Sequence, residues 1–456
     1  MKLRVTLAIL VCRLTRLLLR LLRRGGTALP GKAAIRVCPD LLRHLTADVQ
    51  TVIVTGTNGK TTSSRMLEQL YINAQKPYFT NKSGSNLIQG ITAEFAQNAT
   101  LRGKPKKLFA VIECDEAASK QVCAYIDPKV LLVTNVFRDQ LDRFGEVSTT
   151  LQSIRVGAQN APSAVLCLNA DDSLSASVAD ELPNKLVFYG VSTEIYQERA
   201  DEPSDAIYCI RCKTEYQYDY ITYGHLGGFR CPGCGYARRE PDVAVMGIIS
   251  QDADSQTVAL RAFGEETELT VNLPGGYNIY NAAGVAAAGL ALGFSLAEVK
   301  AAIAGFSCGF GRMEKLTLGD TETRIILVKN PAGCNQVLNY LSNIDGDALF
   351  AVCLNDRIAD GTDVSWIWDV RFEQLLSLGE RLRGILISGR RTDDMALRLK
   401  YAGLPPDKLR IYRSYGEVLE AIKAQSAACT IMPTYTAMME LRDILSKNYG
   451  LKEFWE

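Results

Sequence analysis

Residues 55–62, TGTNGKTT, combine glycines, a lysine and threonines in the order of a phosphate-binding loop. They stand between an apolar strand candidate at residues 52–55 and a helix candidate at residues 61–74. Glycines here let the chain turn tightly, so that backbone N–H groups and the positive end of the helix dipole face an anion. The segment therefore predicts a site for a nucleoside triphosphate at the end of the strand.

The side chains of this loop have predicted roles in binding ATP. The Lys60 ammonium can reach the β- and γ-phosphates, and the Thr61 hydroxyl can bind the magnesium ion that accompanies them. Val54 stands where such loops usually have their first glycine, so the match to the common pattern is incomplete. The predicted ATP contacts in the loop are Gly56, Thr57, Asn58, Gly59, Lys60, Thr61 and Thr62.

Four cysteines near the middle of the chain have the spacing of a zinc ribbon. Cys209 and Cys212 enclose two residues, eighteen residues follow, and Cys231 and Cys234 again enclose two residues. Each pair can form one knuckle of a tetrahedral site, in which four thiolates leave no open position for a catalytic water. We therefore expect a structural zinc ion in an insertion at residues 205–240.

The chain has two histidines, His44 and His225, and thirteen cysteines. Hydrolysis of glutamine needs a cysteine nucleophile with a nearby histidine base, and neither histidine is a convincing partner for such a cysteine. The nine cysteines outside the ribbon are scattered singly, as expected for buried thiols in a reducing cytosol. We expect His225 to be a surface residue or to pack in the ribbon, and any ammonia taken from glutamine to be made by another protein.

The elements around these residues predict an α/β protein of two or three domains, as the length of 456 residues suggests. Apolar strand candidates alternate with helices from residue 52 to 172, which indicates a parallel sheet covered on both faces. Five further strand candidates from residue 324 onward indicate a Rossmann-like domain. The predicted domains are residues 1–45, an N-terminal helix and lead-in, residues 46–312, the ATPase domain, and residues 313–456, the C-terminal domain.

The N-terminal segment alternates leucines with arginines over residues 13–24. It is too charged for a membrane span, and no convincing cleavage site for a signal peptide follows. Two interpretations stay open: a helix packed on its own domain, or a basic helix at the inner membrane surface. The net charge of +1 gives no general reason to bind nucleic acid.

The loop GTNGKTT resembles that of the Mur ligases and the folylpolyglutamate synthetases, and further segments support this resemblance. Residues 112–116, IECDE, place Glu113 where the family has a magnesium-binding glutamate. Residues 81–91 resemble the segment whose hydroxyl assists magnesium, with Ser83 as the candidate and Ser85 as the alternative. The resemblance thus implies a magnesium ion bound by Thr61, Ser83 and Glu113.

Other family segments differ from the common pattern. Residues 134–145 resemble a segment of the family that contains a metal-binding histidine, which Gln140 replaces here, and Arg155 stands near the place of a carbamylated lysine. These two departures leave the ligands of a second magnesium ion open. The resemblance further implies that Asn278 and Asn281 contact the adenine of ATP. It also implies that Arg312, at the domain junction, reaches the γ-phosphate.

FRDQLDR at residues 137–143 is typical of the MurT branch, as are several C-terminal segments, including KNPAGCNQVL at residues 329–338. This resemblance implies ATP-dependent amidation of the D-glutamate α-carboxylate of lipid II, through an acyl phosphate. Ammonia would come from a separate GatD-like glutaminase subunit in a heterodimer, at the inner membrane surface. An aspartate would complete the partner's Cys–His pair: Asp363 is the first candidate, with Asp360 and Asp356 as alternatives.

Two other functions compete with this interpretation. A Mur-type ligase could add an amino acid to the activated carboxylate, although the altered KNPAG segment argues against it. A zinc-ribbon ATPase could bind nucleic acid, but residues 205–240 contain five Lys/Arg and four Asp/Glu, which make no strongly basic face. A scaffold with a degenerate nucleotide site is disfavoured, because Lys60 and Glu113 are present.

Overall fold

The structure is a computed structural model, and it describes residues 2–22, 28–81, 85–139, 147–195, 205–252, 254–307, 312–342, 346–425 and 427–449. The strands of these residues form two large sheets and one small two-stranded hairpin. The mixed α/β class predicted from the alternation of apolar runs is confirmed. The predicted domain boundaries at 45/46 and 312/313 stay predictions.

The first sheet has nine strands in the order β11-β10-β9-β6-β5-β4-β1-β3-β2. Its strands are β1 Gln50–Thr55, β2 Tyr78–Thr80, β3 Phe109–Glu113, β4 Val130–Val133, β5 Val165–Asn169, β6 Leu186–Val191, β9 Val243–Gln251, β10 Gln256–Ala262 and β11 Glu265–Val271. The strands from β2 to β9 in this order pair in parallel, and β9, β10 and β11 pair antiparallel. The predicted parallel sheet is therefore confirmed, and the antiparallel extension was not predicted.

Helices cover both faces of this sheet, as buried apolar strands require. They are α1 Lys2–Leu21, α2 Ala28–Val37, α3 Leu41–Thr46, α4 Lys60–Asn73, α5 Ile88–Asn98, α6 Glu116–Val122, α7 Val147–Gln159, α8 Ser173–Ser177, α9 Gly276–Ala291 and α10 Leu296–Ala304. Helices α4, α9 and α10 bury their apolar residues on one face, and α5 to α7 on the other together with the three N-terminal helices. The loop between β1 and α4 lies at the carboxyl end of a central strand, where parallel sheets bind ligands.

One face of α1 packs on the protein through Val5, Ala8, Ile9 and Cys12, which are buried. The predicted packed helix is thus present, and the outer face of the same helix carries leucines. Among the described helices, none is long and apolar enough to cross a membrane.

The insertion forms a hairpin of β7 Gln217–Tyr223 and β8 Leu226–Arg230. Tyr216, Phe229 and Tyr236 pack on one another beneath the cysteine pairs. Their aromatic contacts supply the small core that so short a hairpin needs in addition to a metal.

The second sheet has the order β12-β13-β17-β14-β15-β16. Its strands are β12 Arg312–Leu318, β13 Thr321–Ile326, β14 Ala348–Cys353, β15 Leu382–Ser388, β16 Leu409–Ile411 and β17 Ala428–Pro433, and its helices are α11 Pro331–Ser342, α12 Thr392–Tyr401, α13 Tyr415–Lys423 and α14 Tyr435–Tyr449. Five of these strands are the five predicted ones, and they pair in parallel. The sixth, β12, pairs antiparallel at the edge and was not predicted.

Candidate nucleotide site and zinc site

The loop after β1 makes its tight turn at the glycines that were predicted to allow it. Gly56 and Gly59 have φ angles of 117° and 87°, which side chains larger than hydrogen disfavour. A Cβ atom at Gly59 would overlap the side chain of Asn281. The backbone N–H of Asn58 donates to the Asn135 side chain at 2.9 Å, and the Thr57 hydroxyl receives the N–H of Phe137 at 3.0 Å. The residues after β4 therefore hold the loop in shape.

Lys60 is buried at the start of α4, and its ammonium has a carboxylate partner. Its Nζ lies 3.0 Å from Oε1 of Glu116 and donates to the carbonyl of Gly56 at 2.5 Å. Burial lowers the pKa of Lys60, but the attraction of Glu116, Glu113 and Asp139 outweighs it, so that its pKa is raised. Lys60 consequently carries its positive charge at neutral pH, as a phosphate site requires.

Glu116 was not singled out from the sequence, although it belongs to the acidic segment that contains Glu113. It lies one residue into α6, where Asp115 caps the helix by accepting from the N–H groups of Ala117 and Ala118. Burial raises the pKa of Glu116, against the attraction of Lys60 and then of Lys329. The sequence signal was present, but the spacing alone does not tell which carboxylate faces the lysine.

The residues predicted to bind magnesium fit a divalent ion where the structure describes them. The side-chain amide of Asn81 donates to the carbonyls of both Ser85 and Glu113, at 3.0 and 2.7 Å, and so holds these residues side by side. The Ser85 hydroxyl is buried without a hydrogen-bond partner among the described residues. Hydroxyl and carboxylate oxygens are the ligands that magnesium prefers. Ser83, the first candidate, lies outside the described residues, as does Gln140.

A cleft of about 810 Å³, partly open to solvent, adjoins the loop. Asn278 and Asn281 project into it from α9, and the Asn281 amide donates to the Asn278 side chain at 3.2 Å. The structure thus brings both predicted adenine contacts to the loop. The remaining lining residues come from the ATP-binding part, the ribbon hairpin and the C-terminal part: Asn58, Gly59, Thr62, Asn135, Tyr223, Tyr277, Met313, Ile326, Leu327, Lys329, Asn330, Ala332, Gly333, Gln336 and Val337.

Arg312 begins β12 beside the cleft, and its side chain lies outside what the structure describes. Arg155 is described, and it donates to the backbone carbonyl of Asp180 at 2.9 Å. Arg155 is therefore engaged on the ribbon side of its helix. A second magnesium ion gains no ligand from it.

Two residues of the KNPAG segment reach the loop from the second sheet. Lys329 donates to the carbonyl of Thr57 at 3.2 Å and forms an ion pair with Asp139. The Asn330 amide donates to the side chain of Asn58 at 3.0 Å, while its oxygen receives the Gly333 N–H at the start of α11. Sequence reasoning noted Lys329 and Asn330 as departures from the family motif and assigned neither a role.

A second cavity adjoins the cleft, and Lys329 and Asn330 line both. Of the three candidate aspartates, Asp363 lines this cavity, together with Arg138, Asp139, Pro331, Ser365, Trp366 and Asp369. Asp360 is buried and receives the backbone N–H groups of Arg357 and Thr436. Asp356 pairs with Arg390 at 2.9 Å. Of the three aspartates, Asp363 is the one whose carboxylate is accessible and lines a cavity.

The four cysteines of the insertion meet, as predicted. Their sulfur atoms all lie within 4.8 Å of one another, which suits one tetrahedral zinc ion bound by four thiolates. Both knuckles turn in the same way, since the residues after the second cysteine of each pair, Lys213 and Gly235, have φ angles of 65° and 75°. Hydrogen bonding with Thr214 lowers the pKa of Cys212 to about 6, which favours the thiolate that binds metal.

The hairpin of the ribbon reaches the phosphate loop through one aromatic residue. His225, at the hairpin turn, is buried and its ring lies 4.5 Å from that of Phe137. Phe137 in turn exchanges two hydrogen bonds with the Thr57 hydroxyl. His225 therefore packs between ribbon and ATP site, which agrees with the expectation that it is a packing residue.

Comparisons with known proteins agree with this geometry. The chain matches the Mur ligase middle domain family over residues 54–218 and the MurT ligase C-terminal family over residues 327–438. Among solved structures, a pseudomurein peptide ligase type C from Methanothermus fervidus superimposes with a TM-score of 0.67 at 21% identity, covering 90% of this chain and 81% of that one. MurF from Acinetobacter baumannii gives 0.64 at 16% identity, covering 91% and 80%. These structures establish the Mur ligase fold.

Curated relatives match over almost the full length. The MurT subunit of lipid II isoglutaminyl synthase (glutamine-hydrolyzing) from Streptococcus pneumoniae is 34% identical over 98% of both chains. The corresponding subunit from Staphylococcus aureus is 31% identical over 97% of this chain and 98% of that one. The chain therefore belongs to the MurT branch of the Mur ligases, a family of ATP-dependent ligases.

Proposed function

We propose that this chain is the synthetase subunit of an enzyme that amidates the α-carboxylate of D-glutamate in lipid II, giving D-isoglutamine. The observation that carries the proposal is its full-length similarity to the MurT subunits named above, across both the ATP-binding and the C-terminal parts. The geometry of the cleft supports the ATP-dependent half, since Asn58, Gly59 and Thr62 of the loop region line it together with both asparagines. Lys60 lies in the same loop, buried against Glu116.

The reaction proceeds in two displacements. A carboxylate oxygen attacks the γ-phosphorus of ATP, the bond to the β–γ bridging oxygen breaks, and ADP leaves. The lone pair of ammonia then attacks the acyl carbon, inorganic phosphate leaves, and the nitrogen gives up one proton. Lys60 and the loop N–H groups hold the phosphates, so positioning and charge stabilisation are their tasks. Magnesium, with Glu113, Thr61 and a serine hydroxyl as ligands, would neutralise phosphate charge.

Ammonia is supplied by a separate glutaminase subunit in this proposal. Within the described residues, His225 pairs with Asp172 and is fully buried. Burial raises the pKa of Cys334 and Cys353 to about 12, so these thiols are poor nucleophiles. Asp363 borders an accessible cavity and is our choice for the aspartate that orients the partner's histidine. The word "subunit" in the names of the relatives supports a heterodimer.

Position at the inner membrane surface is the remaining part of the proposal, and α1 supports it. Seven leucines, all but the adjacent pair Leu17 and Leu18 spaced three or four residues apart, are 38% to 82% exposed along one stripe: Leu3, Leu7, Leu10, Leu14, Leu17, Leu18 and Leu21. Exposed apolar surface of this extent marks a docking face. Residues 1–39 contain nine Lys/Arg and no Asp/Glu, which suits anionic lipid better than a protein partner.

Reconstitution with the glutaminase tests the function. Lipid II is incubated with both subunits, glutamine and ATP, and mass spectrometry looks for exchange of OH for NH2 on the stem peptide. We expect an amide that requires ATP and disappears in Lys60→Ala. If ATP is consumed when a free amino acid is offered, and lipid II stays unamidated, the activity belongs to the amino-acid-adding rival. Binding of DNA or RNA that weakens with salt would support the nucleic-acid rival.

A further inference from the structure

Lys329 brings a second ammonium group to the phosphate loop from the other sheet. We propose that Lys329 is a catalytic residue that donates hydrogen bonds to the phosphoryl group during its transfer and to the resulting acyl phosphate. The inference rests on the proposed acyl-phosphate function and adds a residue to which nothing above assigns a role. Its substrate class is a carboxylate that accepts a phosphoryl group from ATP.

The position of Lys329 leaves one N–H free to meet a ligand. An ammonium has three donors, and the described residues use two of them, through Asp139 and the Thr57 carbonyl. The side chain is 30% exposed and lines both the nucleotide cleft and the cavity that contains Asp363. Lys329 therefore stands where the two cavities meet, and the transferred group has to lie between ATP and its acceptor.

The carboxylates around the loop favour such a cation, in addition to the proposed magnesium ion. Lys60 faces three carboxylates, those of Glu116, Glu113 and Asp139. One ammonium against three carboxylates leaves a local charge of −2, which repels phosphates, and Lys329 reduces it to −1. One oxygen of Asp139 is buried without a hydrogen-bond partner among the described residues, so this carboxylate strongly favours a neighbouring positive charge. A cation preorganised in this way stabilises charge that develops during transfer.

The backbone around Lys329 is held firmly, as a catalytic side chain needs. The N–H of Val328 donates to the carbonyl of Pro433 at the end of β17, at 3.0 Å. Asn330 is tied both to Asn58 of the loop and to the first turn of α11. Lys329 thus reaches the phosphate loop only when the second sheet lies against the first.

Another lysine provides a matched control for an effect on domain contact alone. Lys315 of β12 forms an ion pair at 2.5 Å with Asp254, which precedes β10 of the first sheet. This pair also joins the two sheets, but neither residue lines the two cavities described above. Removing the Lys315 ammonium therefore weakens contact between the sheets without removing a cation from the phosphate site.

The test compares Lys329→Met, Lys329→Arg and Lys315→Met in the complex with its glutaminase, using ammonium chloride as nitrogen source. We expect Lys329→Met to lower kcat for amidation by about a hundredfold, as loss of one transition-state donor does. Its Kd for AMP-PNP should rise far less than kcat falls. The protein should stay folded, with a lower unfolding temperature because Asp139 loses its partner. Lys329→Arg should regain part of kcat, and Lys315→Met should retain it.

The proposal is overturned if Lys329→Met keeps its kcat, if it loses AMP-PNP binding in the same proportion, or if Lys315→Met loses as much activity. The unmodified complex separates this result from failure of the proposed function. If it consumes ATP without amidating lipid II, the substrate assignment fails. The same three variants then decide the role of Lys329 through their rates of ATP consumption.

Discussion

The Nε2 atom of His225 lies 3.1 Å from Oδ1 of Asp172, and neither side chain is exposed to solvent. The other carboxylate oxygen of Asp172 receives the N–H of Val136, next to Phe137. The turn of the zinc hairpin is therefore bonded to the same segment that shapes the phosphate loop. The neighbouring Asp171 makes a second such connection, since it accepts hydrogen bonds from Arg238, near the end of the ribbon insertion, and from Tyr280 of α9.

This pair predicts that the ribbon supports nucleotide binding. We expect His225→Ala to weaken AMP-PNP binding and to lower the free energy of unfolding by about 1–3 kcal/mol, because the buried Asp172 loses a hydrogen-bond partner. Calorimetry and thermal unfolding measure the two effects. The exposed Tyr208→Ala is a control within the ribbon. Unchanged AMP-PNP affinity in a folded His225→Ala protein would contradict the coupling.

Zinc content gives a second prediction. The purified chain should contain one zinc ion, and Cys209→Ser should lose it, because four-thiolate sites need every ligand. Loss of zinc should lower the unfolding temperature and weaken AMP-PNP binding through the hairpin. Metal analysis of Cys38→Ser, which replaces a cysteine outside the four-cysteine cluster, supplies the control. If that variant loses as much zinc as Cys209→Ser, the ion binds elsewhere.

The sequence predicted those parts that depend on local pattern. Apolar runs identified β1, β3, β4 and β5 of the first sheet and the five parallel strands of the second, but not β2 or β6. Spacing identified the phosphate loop and the four cysteines. Strands β10 and β11 were not predicted, because both mix polar with apolar residues and do not form apolar runs. Strand β9 begins with an apolar run and was also not predicted. The contact between Lys329 and Asp139 was not predicted, for another reason. These residues are 190 positions apart, and only the packing of the two sheets brings them together.

The charge of Lys60 leads to a prediction about pH. Its pKa is raised above the usual 10.5, so the charged form is favoured in the folded protein. The stabilisation by this charge is fully present below 10.5 and is lost as the pH rises through the higher folded value. Glu116→Gln removes the largest attraction and leaves the burial, so the pKa of Lys60 should fall.

A pH titration of AMP-PNP affinity checks this sign. In the unmodified chain, affinity should be constant through the neutral range and decrease only in alkali. In Glu116→Gln, the decrease should begin at lower pH. Glu94→Gln, which removes the partner of Arg16 far from the site, should behave as the unmodified chain does. Identical profiles for all three proteins would mean that Glu116 does not control the charge of Lys60.

Substituting asparagine for each of the three aspartates of the C-terminal part is predicted to have a different effect. Asp363→Asn should reduce amidation with glutamine and leave amidation with ammonium chloride intact, because only glutamine hydrolysis uses its carboxylate. Asp360→Asn should cost about 1–3 kcal/mol of unfolding free energy, since Thr436 and Arg357 lose a buried acceptor. Asp356→Asn should change neither activity substantially. Loss of both activities in a stable Asp363→Asn protein would place this residue in the ATP reaction instead.

The outer face of α1 gives the last prediction, which concerns lipid. Replacing Leu10, Leu14 and Leu17 together by glutamine removes the middle of the exposed stripe and keeps a residue type that favours helices. We expect the unmodified chain to float with anionic phosphatidylglycerol vesicles, less so at high salt, and to bind neutral vesicles weakly. The triple variant should stay in solution with its unfolding temperature unchanged.

Leu397→Gln, at another exposed leucine, controls for a general loss of apolar surface. Equal flotation of the triple variant and the unmodified chain would remove α1 as the docking face. Soluble dimers of the unmodified chain that the triple substitution dissociates would mean that the leucine stripe contacts a second copy. The side chains of Arg13 and Arg16 contact α5 of the same chain. They therefore do not cover the leucines, which form the outermost side chains of this face. A lipid surface should therefore be met first by leucine, with Lys2, Arg4 and Arg20 beside it at headgroup level.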